Sequence, residues 1–320
     1  MNRLEVLAPD GVPEVRPGAD LLELLLPLVE LEDGDVVVVT SKVVSKAERR
    51  VVPGTREEAL PGETVRVVAR RGPTTIVRNR LGLTMAAAGI DASNVAAGSV
   101  VLLPLDPDGS ARDLRVGIRV RTARNVGVVV TDTAGRAWRE GQTDIAIGAA
   151  GLLVADDHAG RTDAHGNELA VTLPAVADEI AGMAELAQGK LTGRPFAVVR
   201  GLADLVLPPG DDGPGAASLV RAEGGDLFGY GAREAVVRAL KGEPADRAPF
   251  GAPASPDELA GVITDVLGLV PSRSGRDGEG LLVTVPRGLA RPLAALAFAH
   301  GWDVVPTDSA SDVRLRPARP

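Results

Sequence analysis

Two runs of consecutive valine, each closed by polar residues, constrain this chain more than any other feature. Val36–Val39 runs into Thr40-Ser41-Lys42, and Val128–Val130 runs into Thr131-Asp132-Thr133. Unbroken branched runs of this length read as short strands buried on both faces. A strand that finishes on an acid and hydroxyls delivers those side chains to a sheet edge, where ligands bind in α/β folds. Phe196–Arg200 reads as a further strand. Pro174–Lys190 reads as a helix with Val176, Ile180, Met183 and Ala187 in one apolar stripe. Hydrophobic residues make up 45% of the chain but aromatic ones only 2%, so the core must be built from Val, Leu and Ala. The expected fold is mixed α/β.

The stretch after Asp132 carries the densest chemistry. Gly135 permits a turn, and Arg136, Trp138, Arg139 and Gln142 follow closely. Two guanidiniums, an indole and an amide near a carboxylate suit an anionic, partly planar ligand. A polar turn leading into a small-residue helix at Ala146–Gly151 explains the same residues. After the first valine run, Lys42 and Lys46 share one face if Val43 onward is helical, and a solvated face accounts for them equally simply. Asp91-Ala92-Ser93-Asn94 places an acid beside polar groups, which an Asx turn also explains. The loop from Asp156 to Glu168 is dense in acids and holds two of the three histidines, without zincin spacing; solvated turns are the plainer account. Gly189-Lys190-Leu191-Thr192 is like the tail of a phosphate loop but lacks its upstream glycine and strand, and no GxGxxG occurs.

A formal charge of −8 without a basic stripe argues against nucleic acid. With no cysteine there is no disulfide, thiolate metal site or cysteine nucleophile. The first residues show no apolar signal region and no apolar run has membrane-span length, so no membrane role and a cytoplasmic location are expected. Glu243–Asp257, rich in Pro and Ala, reads as a linker, and a helix is expected from Leu21 to about Glu30, kinked or shortened by Pro27. The expected division is one domain over residues 1–246 and a small α/β appendage over 247–320.

Several ordered motifs agree on one family. GVPEV at 11–15, TSKVVSKAE at 40–48, AAAGIDASNV at 86–95 and VTDTAGRAWREGQTDIAIGAAGL at 130–152 resemble the coenzyme F420 γ-glutamyl ligases. GNELAVTLPAVADEIAGMAEL at 166–186, GKLTGRPFAVVRG at 189–201 and LVRAEGGDLFGYGAREA at 219–235 extend the resemblance, which covers about residues 4 to 242 and is nearest to the actinobacterial type. It implies a mixed α/β fold forming an intertwined homodimer. It also implies GTP-driven formation of an amide between L-glutamate and a deazaflavin F420 precursor through an acyl phosphate, followed by γ-linked glutamates. Mg²⁺ or Mn²⁺ is the implied metal, with K⁺ as a further candidate ion.

Position by position, the resemblance places Asp91, Asp132 and Thr133 on metal ligands. It places Gly11, Val12, Pro13, Glu14, Ser41, Lys42, Lys46 and Asn94 on GTP contacts, together with the loop of Gln188, Gly189, Lys190, Leu191, Thr192, Gly193, Arg194 and Pro195. Arg136 and Arg139 are assigned to substrate anions and Trp138 to ring stacking from their chemistry. Lys190 stands where archaeal members often carry a metal-binding Gln, so a second metal would be held differently. Full-length actinobacterial relatives carry a nitroreductase-like flavin domain. Residues 247–320 are too few for one, and no FMN is expected. The competing reading is a nucleotide-binding homologue without catalysis.

Overall fold

The computed structural model describes residues 3–222, 225–226, 228–275 and 279–318. They form two compact units, Met1–Arg66 with Gly72–Val220, and Val67–Arg71 with Arg221–Pro320. The expected division lay at residue 246; the units part at Val220/Arg221, with Val67–Arg71 grouped with the second.

The first unit is built on a five-stranded sheet in the order Glu5–Leu7, Phe196–Arg200, Val36–Thr40, Gly127–Gly135, Gln142–Ala150. The two valine strands pair in parallel, Val36 opposite Gly127 through Thr40 opposite Thr131, and the other pairings are antiparallel. Val36–Val39, Val128–Val130 and Phe196–Val199 are all 1% exposed or less. Their side chains alternate between two cores. Val37, Val39, Val128, Val130, Phe196 and Val198 join one, and Val36, Val38, Val129, Ala197 and Val199 the other. Helices cover both faces, which is why the runs are apolar without alternation. Leu21–Leu25, Ser41–Ala47 and Pro107–Thr122 pack on the first core and Val176–Gln188 on the second. Burying each such valine contributes roughly 1.5–3 kcal/mol, so the strand ends are held by a rigid slab.

Two expectations are corrected here. Ala146–Gly151 is not helical; Gln142–Ala150 is a strand antiparallel to Gly127–Gly135. Alanine favours helices, but here tertiary packing overrides that preference. Ala146 and Ala149 lie in one core and Ala150 in the other, and a Cβ on Gly148 would collide with the Pro107 carbonyl oxygen. The small residues let helices approach both faces of this strand. The first helix spans only Leu21–Leu25, capped by the Asp20 carboxylate accepting from the Leu22 N–H. It stops two residues short of Pro27, whose ring and missing N–H oppose continuation.

The second unit carries an antiparallel sheet in the order Ser272–Ser274, Gly280–Thr284, Asp312–Pro317, Trp302–Pro306. Pro256–Leu267 and Ala290–Ala299 pack on it through Leu259, Ile263, Leu293 and Ala297 around Trp302 and Leu315. Glu243–Asp257 is not an open linker. Residues 244–246 and 248–250 form tight helical turns, Pro249 is buried, and Phe250 sits edge-on between Tyr230 and Phe298 at centroid distances of 5.2 and 5.8 Å. Asp246 is buried and takes the Arg238 guanidinium at 2.6 Å.

Candidate functional site

The parallel strands Val36–Thr40 and Gly127–Gly135 end side by side, so Thr40, Ser41 and Lys42 arrive next to Thr131, Asp132 and Thr133. A bulge fixes which face each residue takes. Val130 pairs with Gly148 but Thr131 pairs with Ala146, so Ile147 is the extra residue. Beyond the bulge Thr131 and Thr133 lie opposite Ala146 and Asp144, on the face of the second core, while Asp132 lies opposite Ile145, on the face of the first. Asp132 and Thr133 are therefore neighbours that serve opposite faces of the sheet.

On the first face, the Ser41 hydroxyl donates to Asp132 Oδ1 at 3.0 Å. Burial pushes the Asp132 carboxyl up to about 7; the Ser41 bond works the other way, and the nearby carboxylates of Asp144 and Asp91 push it further up. Among the described residues no lysine or arginine pairs with it. Lys42 Nζ lies 2.6 Å from Asp91 Oδ2 and donates to Ser93 Oγ at 2.7 Å. The Ser93 N–H and hydroxyl both donate to Asp91, each at 2.8 Å. Burial raises the Asp91 carboxyl, but the bonds from Lys42 and Ser93 outweigh it and hold the group below its ordinary value. Asn94 follows in the left-handed region, φ 55°, closing this turn.

Lys46 is 6% exposed and its ammonium meets Glu14 Oε1 at 2.5 Å, which ties the segment of Gly11, Val12, Pro13 and Glu14 to the Ser41–Ala47 helix. Gly11 has φ +84°, a conformation other residues rarely take. Next to it, Asp10 holds Arg194 through two bonds of 2.7 and 3.1 Å. The Thr40 N–H donates to the Pro195 carbonyl at 3.0 Å. The structure thus brings together the 11–14, 41–46 and 188–195 segments that the sequence named separately.

On the second face, the Thr133 hydroxyl donates to Asp144 Oδ1 at 2.7 Å and the Thr131 hydroxyl donates to Asp144 Oδ2 at 3.3 Å. Lys190 Nζ donates to Thr133 Oγ1 at 2.5 Å and lies 2.9 Å from Glu185 Oε1 and 3.5 Å from Asp144 Oδ1. Burial opposes the Lys190 charge, but Glu185 and Asp144 prevail and raise its pKa above the ordinary lysine value. Gln188, two residues away, is 1% exposed, and among the described residues neither amide atom has a partner. Sequence reading passed over Asp144 and Glu185. Asp144 stood within a quoted motif, but only the strand register sets it opposite Thr133.

Arg136, Trp138 and Arg139 occupy the exposed hairpin tip beyond Gly135, where Arg136 donates to the Glu140 carbonyl at 2.8 Å and Trp138 adopts φ 60°. Four residues of strand, about 13 Å, separate Asp132 from Arg136. The acid loop resolves into turns: Asp163 accepts from the His165 and Asn167 N–H groups, and His158 pairs with Asp156 at 3.0 Å. Among the described residues no group of three or more His, Asp and Glu side chains is gathered for a metal ion. None of the helices is long and apolar enough to cross a membrane among the described residues. A cavity of about 460 Å³ bounded by residues 26–31, Thr122 and Arg124 lies toward the opposite, amino-terminal ends of the valine strands.

A family model described as F420-0:gamma-glutamyl ligase matches residues 11–59 and 56–201, which contain every candidate residue from Gly11 to Pro195. The coenzyme F420:L-glutamate ligase of Archaeoglobus fulgidus is 44% identical over 220 residues, 62% of this chain and 88% of that protein. The protein of the same name from Methanopyrus kandleri is 39% identical over 253 residues, 71% of this chain and 100% of that protein. Its namesake from Halobacterium salinarum is 38% identical over 250 residues, 70% of this chain and 95% of its own.

Proposed function

The chain belongs to the F420-0:gamma-glutamyl ligase family, and from that premise we propose that it joins L-glutamate to a coenzyme F420 precursor at the expense of GTP. In this reading the precursor's carboxylate oxygen attacks the terminal phosphorus of GTP, and GDP leaves. The glutamate amine then attacks the acyl carbon, an amide bond forms, and phosphate departs with the former carboxylate oxygen. Further glutamates follow through γ-carboxylates, and the expected homodimer belongs to the same reading.

The observation that carries it is the juxtaposition at the ends of the parallel strands of Asp132 with Ser41 and of Asp91 with Lys42. In this reading Lys42 and Lys46, on successive turns of one helix and now paired with Asp91 and Glu14, are the ammonium groups that would meet nucleotide phosphates. The chemistry of the donor set fits a hard divalent ion. Asp132 and Asp91 offer carboxylate oxygens; Asp132 is partly buried beside the carboxylates of Asp91 and Asp144, which each have a lysine, while among the described residues it has no basic partner of its own, a charge that Mg²⁺ or Mn²⁺ would neutralise. When bound, such an ion supplies charge stabilisation to phosphate oxygens. The chain's own residues then orient it: Ser41 fixes the Asp132 carboxylate, Ser93 fixes that of Asp91, and the two-sided packing beneath keeps both strand ends rigid.

Mass spectrometry of a reaction containing precursor, GTP, Mg²⁺ and L-glutamate tests the proposal. The expected product is heavier by one or more glutamyl residues, with one GDP formed per residue added. GTP bound but never turned over in the presence of both acceptors would assign the chain to nucleotide binding without catalysis.

A further inference from the structure

The two faces of the Asp132–Thr133 strand end are not electrostatically alike. On one, Asp132 has a hydroxyl partner and, among the described residues, no cation. On the other, Asp144 and Glu185 are already matched by the Lys190 ammonium, seated against three oxygens: Thr133 Oγ1 at 2.5 Å, Glu185 Oε1 at 2.9 Å and Asp144 Oδ1 at 3.5 Å. Resting on the metal reading above, we propose that Lys190 is the permanent cation of the Thr133 face, so that this face takes no divalent ion and the site holds one, on the Asp132 face.

Three observations carry this. First, the hydroxyl of Thr133 is already engaged: it donates to Asp144 and accepts from Lys190, so its one remaining lone pair could meet a divalent ion only beside the ammonium, against like-charge repulsion. Second, Asp144 is 3% exposed and held by the Thr131 and Thr133 hydroxyls, so it is rigid, and its charge must be met locally. Third, the ammonium is anchored from its own side of the turn, because Lys190 follows the Val176–Gln188 helix and Gly189, at φ +65°, swings the chain back so that Lys190 meets Glu185 one turn earlier. Hard divalent ions and ammonium groups compete for such oxygen clusters, and a tethered ammonium needs no binding from solution. Lys190 is thus a positioning residue that keeps Thr133 and Asp144 in fixed orientation beside Asp132.

The test counts ions. Mn²⁺ binding to the full chain is measured by electron paramagnetic resonance of free Mn²⁺, with and without a non-hydrolysable GTP analogue, for the wild type, Lys190→Ala and Lys190→Arg. Lys190 is largely exposed, so both variants should fold, which circular dichroism verifies. One Mn²⁺ in the wild type and in Lys190→Arg, with two in Lys190→Ala, is the expected pattern. Two ions in the wild type, or one in all three, would overturn the role of Lys190 while leaving the metal reading intact. No ion in any of them would overturn both.

Discussion

Replacing Asp132 by Asn should make the metal-free protein more stable and less active at once. Its carboxyl is pushed from an ordinary value of 3.8 to about 7, first by burial and then by Asp144 and Asp91. A carboxyl whose folded pKa exceeds its unfolded one binds more protons in the folded state between those values. Stability is then greatest below pH 4 with respect to this group and declines as pH rises toward 7. A rise of about 3 pH units corresponds to about 4 kcal/mol at 1.36 kcal/mol per unit, and because the carboxyl keeps some contact with solvent we expect about half of that. Asparagine keeps the acceptor for Ser41 and removes the charge. In EDTA at pH 8, thermal unfolding of Asp132→Asn should lie roughly 4–8 °C above the wild type, and the difference should vanish near pH 4. Added Mn²⁺ should raise the wild type and leave the variant unmoved, while turnover in the variant falls roughly a thousandfold. A variant no more stable than the wild type at pH 8 without metal would refute the idea that Asp132 is an uncompensated charge.

Three further outcomes follow from other parts of the structure. Lys42→Ala should weaken GTP binding at least tenfold by calorimetric titration and leave the KM for glutamate nearly unchanged; the reverse pattern moves Lys42 to the acceptor side. Arg200→Ala strips the paired guanidinium from Asp35, which is 1% exposed and bonded at 2.9 and 2.8 Å, and should cost about 3–5 kcal/mol in urea unfolding. A loss under 1 kcal/mol would show that water replaces the arginine. Phe250→Ala removes the ring between Tyr230 and Phe298 and should cost the second unit roughly 2 kcal/mol, seen as faster amide exchange in the Ala290–Ala299 helix; unchanged exchange would return residues 243–257 to the status of an open linker.

The valine strands were legible in the sequence because burial on both faces leaves a direct mark: every position must be apolar, so Val36–Val39 and Val128–Val130 name themselves, and the residues that follow them must reach an edge. The two acids and the lysines of the first face were legible too, through motifs that run continuously along the chain. The helix at Ala146–Gly151 was misread because small residues serve helices and crowded strands equally, and only the closeness of Pro107 to Gly148 separates the two. Lys42 and Lys46 share a helix yet serve Asp91 and Glu14 respectively, a division that spacing alone does not encode. Asp144, Glu185 and Lys190 are 41 or more residues apart or separated by a helix end, and they meet at Thr133 through a one-residue bulge at Ile147. A shift of register by one residue exchanges the faces of a strand, so which acid stands beside which hydroxyl is a property of the assembled sheet and of nothing smaller.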